Sequence, residues 1–452
     1  MKIRTLALSL SFLIVLIVCL PVGMAQPPPP PSPATMLWWD EGNVDDIAVS
    51  KDGQYVAVAA SSLGVRFYSR SSGTPIWTHT DGGSFYTVAI SADGNCVAAG
   101  NNTAVYFWNG AATSTGTPTW SSRNIGATPD RLLLSDDGNQ VLASAHNTLF
   151  YWNDTKAISP GTSDVQETWY WSTGSGEIII ESAADLSSDG DYVVAGTTEP
   201  SVAYWKNAKH LTDNPGPDWV STKLESALDV VDVVVSDDGN YVASVSHSIT
   251  GALYYWAGAK ALAGDPEAAW YHELGAGPIF TSIDMSSNGD NVIAGGSDGV
   301  YFWGGARTLT GKPEDPNWTY DTVGDVHFVA INAAGDYMAA ASVYGSEEEE
   351  DSYIYFFDSS GELLWNPPYH LADESVSDIS ISSDGGTLAF GTYPGGDTAQ
   401  LVDTGYRTKP SARPVGGSLI PVNKLQLVAP WIAVALAALA LTIFATKRRR
   451  EL

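Results

Sequence analysis

The sequence predicts an all-β protein: an eight-bladed β-propeller of four-stranded antiparallel blades, followed by a C-terminal transmembrane helix. A turn motif, Ser-x-Asp-Gly or a close variant, occurs eight times, with its glycine at positions 53, 94, 138, 190, 239, 289, 335 and 385. Steps of 41 to 52 residues between these glycines fit one four-stranded blade per repeat. An uncharged apolar run near the C-terminus predicts the helix.

Each repeat begins with the pattern of a β-hairpin. Apolar residues alternate before the turn, as at Ile47 and Val49 or at Ile379 and Ile381, which is the two-residue period of a strand. The Asp side chain can accept bonds from nearby backbone amides, and the Gly adopts the positive φ that a tight turn needs. A second strand of small residues follows, as in Val97-Ala98-Ala99-Gly100. Such a strand lets neighbouring sheets approach closely.

A third strand ending in aromatic residues and a fourth strand with a single tryptophan complete each repeat. The fourth-strand tryptophans are Trp77, Trp120, Trp169, Trp219, Trp270, Trp318 and Trp365. A structural role explains why a tryptophan occurs once per repeat. We therefore interpret these side chains as the core that locks one blade to the next.

The two ends of the repeat region are expected to complete one blade together. The eighth repeat has a third strand near Ala399 to Asp403, but no tryptophan strand follows it. The segment Met36-Leu37-Trp38-Trp39-Asp40, before the first repeat, has the composition of a fourth strand. We predict that this N-terminal strand closes the last blade and removes its exposed sheet edge. Seven blades with one additional hairpin are the alternative.

These features resemble two families of propellers over residues 36–405. The hairpin and the aromatic third strand resemble WD repeats, whereas Gly73-Thr74-Pro75-Ile76-Trp77 and residues 358–365 are similar to the tryptophan-docking repeats of pyrroloquinoline-quinone-type propellers. The resemblance implies the propeller fold. This chain has no Gly-His dipeptide, and Trp-Asn, Trp-Lys, Trp-Ala or Trp-Gly stands where WD repeats have Trp-Asp. The usual Asp-His-Ser hydrogen-bond network of that family is therefore not expected here.

Both ends of the chain predict export and anchoring. Lys2 and Arg4 precede an apolar run and small residues, which is typical of a cleaved signal peptide. Residues 427–446 are long enough to span a bilayer, and the Lys-Arg-Arg-Arg run after them is typical of a cytoplasmic stop. The C-terminal region resembles the anchors of archaeal surface proteins. The predicted order is signal peptide 1–26, Pro-rich linker 27–35, propeller 36–405, Pro/Gly linker 406–426, transmembrane helix 427–446 and basic tail 447–452. We therefore expect a single-pass cell-membrane protein with an extracellular propeller and a cytoplasmic C-terminus.

Charge and cysteine content exclude several kinds of function. The formal net charge is −29, and residues 27–426 carry 16 Lys or Arg against 50 Asp or Glu. Nucleic acid is not an expected partner, because phosphate binding needs a basic face. An acidic surface attracts divalent cations or basic partners, although solubility is the plainer explanation. Two cysteines, Cys19 and Cys96, cannot build a disulfide framework or a Cys-rich zinc site.

The first strands, which line the channel of a propeller, suggest a speculative metal site. They carry Asp46, Asp185, Asp232, Asp284 and Asp378, together with Arg131, a few residues before their turns. A converging ring of carboxylates could hold Ca²⁺, which prefers several oxygen ligands. The alternative is that these carboxylates are solvated or hydrogen-bonded from blade to blade.

Other polar features of the sequence allow weaker interpretations. The acidic run from Glu347 to Asp351 is expected to be a solvated loop between strands, on which a cation or a basic partner could dock. Three sequons, at Asn101, Asn153 and Asn317, allow N-glycosylation at an external surface. No cofactor is identified.

The sequence therefore predicts a binding or scaffolding platform for a protein or a surface polymer. No catalytic constellation is recognised, so the protein is not expected to be an enzyme. An extracellular enzyme such as a quinone-dependent dehydrogenase is one alternative, although Cys96 lacks the neighbouring cysteine of that family's vicinal pair. A structural cell-surface protein without a discrete ligand is the other.

Overall fold

The computed structural model describes residues 32–173, 179–224, 228–247, 251–346, 349–393 and 398–408. The predicted signal peptide, transmembrane helix and basic tail lie outside these residues. The described residues include no helix that could serve as a membrane span.

The described residues form eight four-stranded antiparallel sheets arranged as blades of a closed ring, which confirms the predicted eight-bladed propeller. Blades 1 to 4 contain β2 (Asp46–Val49), β3 (Tyr55–Ala60), β4 (Gly64–Ser69) and β5 (Trp77–His79); β6 (Phe85–Ile90), β7 (Cys96–Asn101), β8 (Val105–Asn109) and β9 (Trp120–Ser122); β10 (Arg131–Leu134), β11 (Gln140–Ala145), β12 (Thr148–Asn153) and β14 (Trp169–Ser172); and β15 (Ile179–Leu186), β16 (Tyr192–Thr197), β17 (Ser201–Lys206) and β18 (Trp219–Ser221). Blades 5 to 8 contain β19 (Asp229–Val235), β20 (Tyr241–His247), β21 (Ala252–Ala257) and β22 (Trp270–Glu273); β23 (Phe280–Met285), β24 (Asn291–Gly296), β25 (Gly299–Gly304) and β26 (Trp318–Asp321); β27 (Asp325–Ile331), β28 (Tyr337–Ser346), β29 (Glu349–Asp358) and β30 (Tyr369–Leu371); and β31 (Val376–Ile381), β32 (Thr387–Thr392), β33 (Thr398–Asp403) and β1 (Thr35–Glu41).

Three smaller features supplement this plan. The strand β13 (Thr162–Val165) pairs in parallel with β9 at the outer edge of blade 2. One parallel bridge, between Ser182 and Asp232, joins the first strands of blades 4 and 5. In the part of the chain that the structure describes, five short 3₁₀ helices follow the third strands of blades 2 to 6: Ala111–Thr113, Thr155–Ala157, Ala208–His210, Ala259–Ala261 and Ala306–Thr308.

The Ser-x-Asp-Gly motif forms the predicted turn between the first and second strands. In blade 1 the Ser50 hydroxyl donates to the Asp52 carboxylate at 2.6 Å and accepts the backbone N–H of Tyr55 at 3.0 Å. Gly53 has φ +69°, and a Cβ there would lie 2.8 Å from the Thr387 hydroxyl oxygen of blade 8. The glycine is therefore needed both for its backbone conformation and for the close approach of the preceding blade.

These turns lie at one end of the ring, which we call the turn face. Adjacent turns are linked by backbone hydrogen bonds, such as Ala92 N–H to Asp136 O at 3.0 Å and Ser383 N–H to Lys51 O at 2.9 Å. The second of these bonds joins blade 8 to blade 1. The opposite end, which we call the loop face, carries the connections between second and third strands and those from one blade to the next.

The repeated tryptophans lock neighbouring blades together, as predicted. Six of them begin a fourth strand, but the prediction is wrong for Trp365, which lies in the connection before β30 because that strand begins only at Tyr369. The Trp219 ring stacks on Tyr204 of its own blade at 5.1 Å and lies 5.9 Å from Trp256 of the next blade. Each indole N–H donates to a backbone carbonyl of the following blade: Trp77 to Ala111 (2.8 Å), Trp120 to Thr155 (3.1 Å), Trp169 to Ala208 (2.8 Å), Trp219 to Ala259 (3.0 Å), Trp270 to Ala306 (2.8 Å), Trp318 to Ser359 (3.2 Å) and Trp365 to Thr404 (3.3 Å).

The N-terminal strand closes the ring. Strand β1 pairs antiparallel with β33, and Trp38 is the partner of Leu401. Asp40 of β1 accepts bonds from Arg66 at 2.7 Å and from the Tyr68 hydroxyl at 2.6 Å, both in blade 1. The prediction of eight blades is therefore confirmed, and the seven-blade alternative is wrong.

Replacing Trp219 by Phe tests the tryptophan lock. Phe keeps an aromatic ring in the stack but removes the indole N–H that donates to the Ala259 carbonyl, which still accepts the Leu262 N–H at 3.2 Å, so we expect a loss of about 0.5–1.5 kcal/mol. The free energy of unfolding by urea measures it. Trp171→Phe is the matched control, because the half-buried Trp171 makes no such bond to another blade within the described residues. Equal losses in the two variants would contradict the proposed role.

Candidate functional site

The predicted acidic residues do come together in the central channel, at two levels. Asp46, Asp232 and Asp378 stand four residues before the first residue of their turns, on the side of the loop face, with Arg131 at the same level. Asp185 and Asp284 stand two residues before their turns and lie nearer the turn face. A cavity of about 290 Å³ in the channel is lined by Arg131, Asp185, Asp232, Asp284 and Asp378, among others.

Each of these carboxylates accepts a backbone N–H from the next blade. The first strand of every blade is the inner edge of its sheet, so some of its N–H groups lack a partner strand. Five bonds cap such groups: Val88 to Asp46 (2.7 Å), Val235 to Asp185 (2.7 Å), Ile283 to Asp232 (2.9 Å), Ile331 to Asp284 (2.8 Å) and Ile47 to Asp378 (3.4 Å). Ser282 and Ser380 cap Val329 and Val49 in the same way, at 3.3 and 3.0 Å. Hydrogen bonding from blade to blade therefore accounts for all five acidic residues.

The channel environment favours the neutral form of these carboxyl groups. Burial raises the pKa of Asp232 and of Asp284 to about 7, and that of Asp185 to about 6. Burial and the adjacent Asp46, to which it is hydrogen-bonded, raise the pKa of Asp378 well above its usual value. The positive charge of Arg131 opposes the rise in these pKa values. Some of the channel carboxyl groups are therefore protonated and uncharged near pH 7.

The described residues contain no group of three or more His, Cys, Asp or Glu side chains that could hold a metal ion. The predicted Ca²⁺ ring thus has no supporting cluster in this part of the chain. The geometry supports one role for these residues, the capping of strand edges, and their raised pKa values add reversible protonation to it.

A lysine that the sequence did not single out crosses the channel at the turn face. Lys51 of blade 1 lies 2.7 Å from an Asp136 oxygen of blade 3 and 3.3 Å from an Asp237 oxygen of blade 5. All three residues directly follow the first residue of their turns. Their common position in the repeat was the signal that could have identified them, but only the closed ring brings blades 1, 3 and 5 together.

The three sequons differ in their accessibility. The Asn101 side chain is buried, and its Nδ2 donates to the Gly82 carbonyl at 2.6 Å. The Asn153 side chain is half-buried and donates to the Lys209 carbonyl at 3.2 Å. Asn317 is exposed. Attachment of a glycan is therefore compatible with the folded ring at Asn317, whereas at Asn101 it would disrupt a buried hydrogen bond.

Cys96 is free and buried in β7. Burial raises the pKa of its thiol to about 12, so the thiolate is scarce at neutral pH.

The Glu347–Asp351 run differs from expectation: Glu349, Glu350 and Asp351 belong to β29 rather than to a loop. Cross-strand pairing with Tyr344 to Ser346 holds this acidic segment in a strand.

The loop face carries most of the exposed large apolar side chains of the described residues. Five of the seven are there: Leu63 (38% exposed), Leu228 (61%), Val323 (45%), Tyr344 (60%) and Tyr393 (49%). Ile76 and Tyr170 lie elsewhere. Sequence reasoning missed these residues, because single apolar residues in loops form no recognisable pattern.

Solved structures share this architecture. The C-terminal WD40 domain of Sif2 aligns with a TM-score of 0.59 and 14% identity, over 82% of this chain and 98% of that domain. The fold is a WD40-like eight-bladed β-propeller. The computationally designed Ika8 protein aligns with a TM-score of 0.58 and 15% identity, over 82% of this chain and 98% of its own. No protein-family profile matches the sequence, and no curated protein matches it. These similarities concern the fold alone.

The channel carboxyls predict how stability depends on pH. Asp232 has a pKa of about 7 in the folded protein, against 3.8 ordinarily. Its contribution to stability is therefore fully present below about pH 4 and is lost as the pH rises through about 7. Asp232→Asn should raise the melting temperature at pH 8 and reduce the difference in melting temperature between pH 5 and pH 8. The exposed Asp213→Asn is the control. An unchanged pH dependence in Asp232→Asn would contradict this assignment.

Proposed function

We propose that this protein is a membrane-anchored extracellular binding platform whose loop face takes up a protein or surface-polymer partner. The observation that carries the proposal is the concentration of exposed apolar side chains on the loop face. Adjacent exposed apolar side chains, such as Val323 and Tyr344 on either side of Gly324, are typical of interaction sites. WD40-like propellers commonly serve as scaffolds for protein interactions, which agrees with this assignment.

The proposed location at the cell membrane rests on the sequences of the N-terminal and C-terminal segments. A signal peptide over residues 1–26 would export the propeller, and residues 427–446 with the basic tail would hold it at the membrane. Residues 406–426 would link the propeller to this span. The net negative charge of the propeller disfavours anionic lipid headgroups as its ligand.

The proposal assigns binding rather than catalysis to the ring. The channel carboxylates are engaged in hydrogen bonds between blades, and the Cys96 thiol is buried with a raised pKa. Propellers place their function in loops, which vary without disturbing the blades.

Substitutions on the two faces test where the partner binds. Leu228→Ser on the loop face removes a side chain that is 61% exposed, and Ile76→Ser, 41% exposed and away from that face, is the matched control. We expect Leu228→Ser to lower recovery of a partner captured by the full-length protein several-fold, with an unchanged melting temperature. Equal recovery by wild type and both variants, or recovery lost only in Ile76→Ser, would contradict a loop-face site.

Labelling of intact cells tests the orientation. A membrane-impermeant amine reagent should modify the exposed Lys223 and Lys312 in intact cells, but Lys447 only after lysis. Mass spectrometry of the recovered peptides reads out both sites. Modification of Lys447 in intact cells, or of no propeller lysine before lysis, would contradict the proposed topology.

A further inference from the structure

The hairpin of blade 7 extends beyond the rest of the ring. Strands β28 and β29 have ten residues each, whereas the second strands of the other blades have six or seven. Four additional residues correspond to about 13 Å of strand. Because the connection between second and third strands lies on the loop face, the extension projects from that face.

The extended part has two unpaired edges within the described residues. Pairing of β27 with β28 ends at Asp325 and Val343, and pairing of β30 with β29 ends at Leu371 and Ser352. Beyond these pairs, residues 344–346 pair only with residues 349–351. We call these six residues the blade 7 overhang. Unpaired strand edges present N–H and C=O groups that can bind another extended chain.

A rigid apolar pair stands at the base of the overhang. Val323 and Tyr344 are 45% and 60% exposed. Between them, Gly324 packs so closely that a Cβ there would lie 2.2 Å from the Val343 oxygen and 2.7 Å from the Tyr344 Cβ. The backbone N–H of Val323 donates to the Tyr355 hydroxyl at 2.9 Å. The connection that carries Val323 is thus fixed against the hairpin, and little conformational entropy would be lost when a ligand covers it.

The overhang lies in the most one-sided part of the charge distribution. From Pro313 to Tyr406 the chain has 18 Asp or Glu and no Lys or Arg. Near the overhang, Asp321 and Asp325 are exposed, and Glu350 and Asp351 are partly exposed. Within the described residues, the ion-pair partner of Asp351 is a histidine, His370, at 3.1 Å, and its carboxylate also accepts the Asp373 N–H at 3.0 Å. These acids repel the edge of a second copy of this chain, and they attract a cationic strand.

We propose that the blade 7 overhang, together with Val323, binds an extended basic segment of a partner polypeptide as an added strand. In such a strand, alternate side chains point to opposite sides, so apolar residues can cover Tyr344 and Val323 while cations face the surrounding carboxylates. This inference rests on the proposed function and names the surface and the chemistry of the partner.

Binding of a designed peptide to the full-length protein tests the inference. The probe is an eight-residue peptide of alternating lysine and valine, and a peptide of alternating glutamate and valine is its counterpart. We expect the basic peptide to bind and the acidic one not to bind. Tyr344→Ser and Glu350→Lys should each weaken binding about tenfold, as measured by fluorescence anisotropy. Tyr170→Ser and Asp213→Lys are the matched controls, exposed residues away from blade 7, and should bind the peptide as the wild type does.

Hydrogen exchange gives a second measurement that does not depend on the variants. Peptide binding should slow exchange at backbone amides of the overhang and not in blade 3. Absence of binding, equal binding by all variants, equal binding of octalysine, or protection elsewhere would each overturn the inference.

The two proposals fail differently. If wild type and Tyr344→Ser capture a partner equally but Leu228→Ser does not, the loop-face platform stands and the overhang is excluded as its binding site. If no loop-face variant captures less partner than the wild type, the platform itself is contradicted.

Discussion

Closure of the ring is the constraint on which the rest of this structure depends. Every blade buries both of its faces against neighbours, so one unclosed boundary would expose the aromatic core of two blades. The pairing of β1 with β33 removes that boundary. Asp40 ties the closing strand to Arg66 and Tyr68 of blade 1. The tryptophan contacts around the ring have their geometry only because the last blade is completed in this way.

The same closure determines the chemistry of the channel. Eight strand edges meet around the axis, and their free N–H groups need acceptors. Carboxylates such as Asp232 supply these acceptors, but burial raises their pKa values. Acidity in the channel is therefore a consequence of edge capping, and it links the stability of the ring to pH.

Binding and stability are served by different parts of each repeat. Turns, small second strands and tryptophans are engaged in contacts between blades, whereas the loop-face connections are free to differ. Blade 7 has the largest departure, with two ten-residue strands where the other blades have a short second strand. The absence of Lys and Arg from Pro313 to Tyr406 places the strongest negative charge in the same region.

The number of blades, the turns, the tryptophan lock and the closing strand could be predicted from the amino-acid sequence. These features depend on short-range periodicity and on spacing that repeats along the chain, and the structure confirms them. The contacts between residues of distant blades could not be predicted in this way, because they depend on how the ring closes. The contacts of Lys51 with Asp136 and Asp237, and the position of Tyr344 beside Val323, join segments whose separation in sequence carries no pattern. The strand conformation of Glu349 to Asp351 likewise comes from pairing with Tyr344 to Ser346, which overrides the preference of an acidic run for solvent.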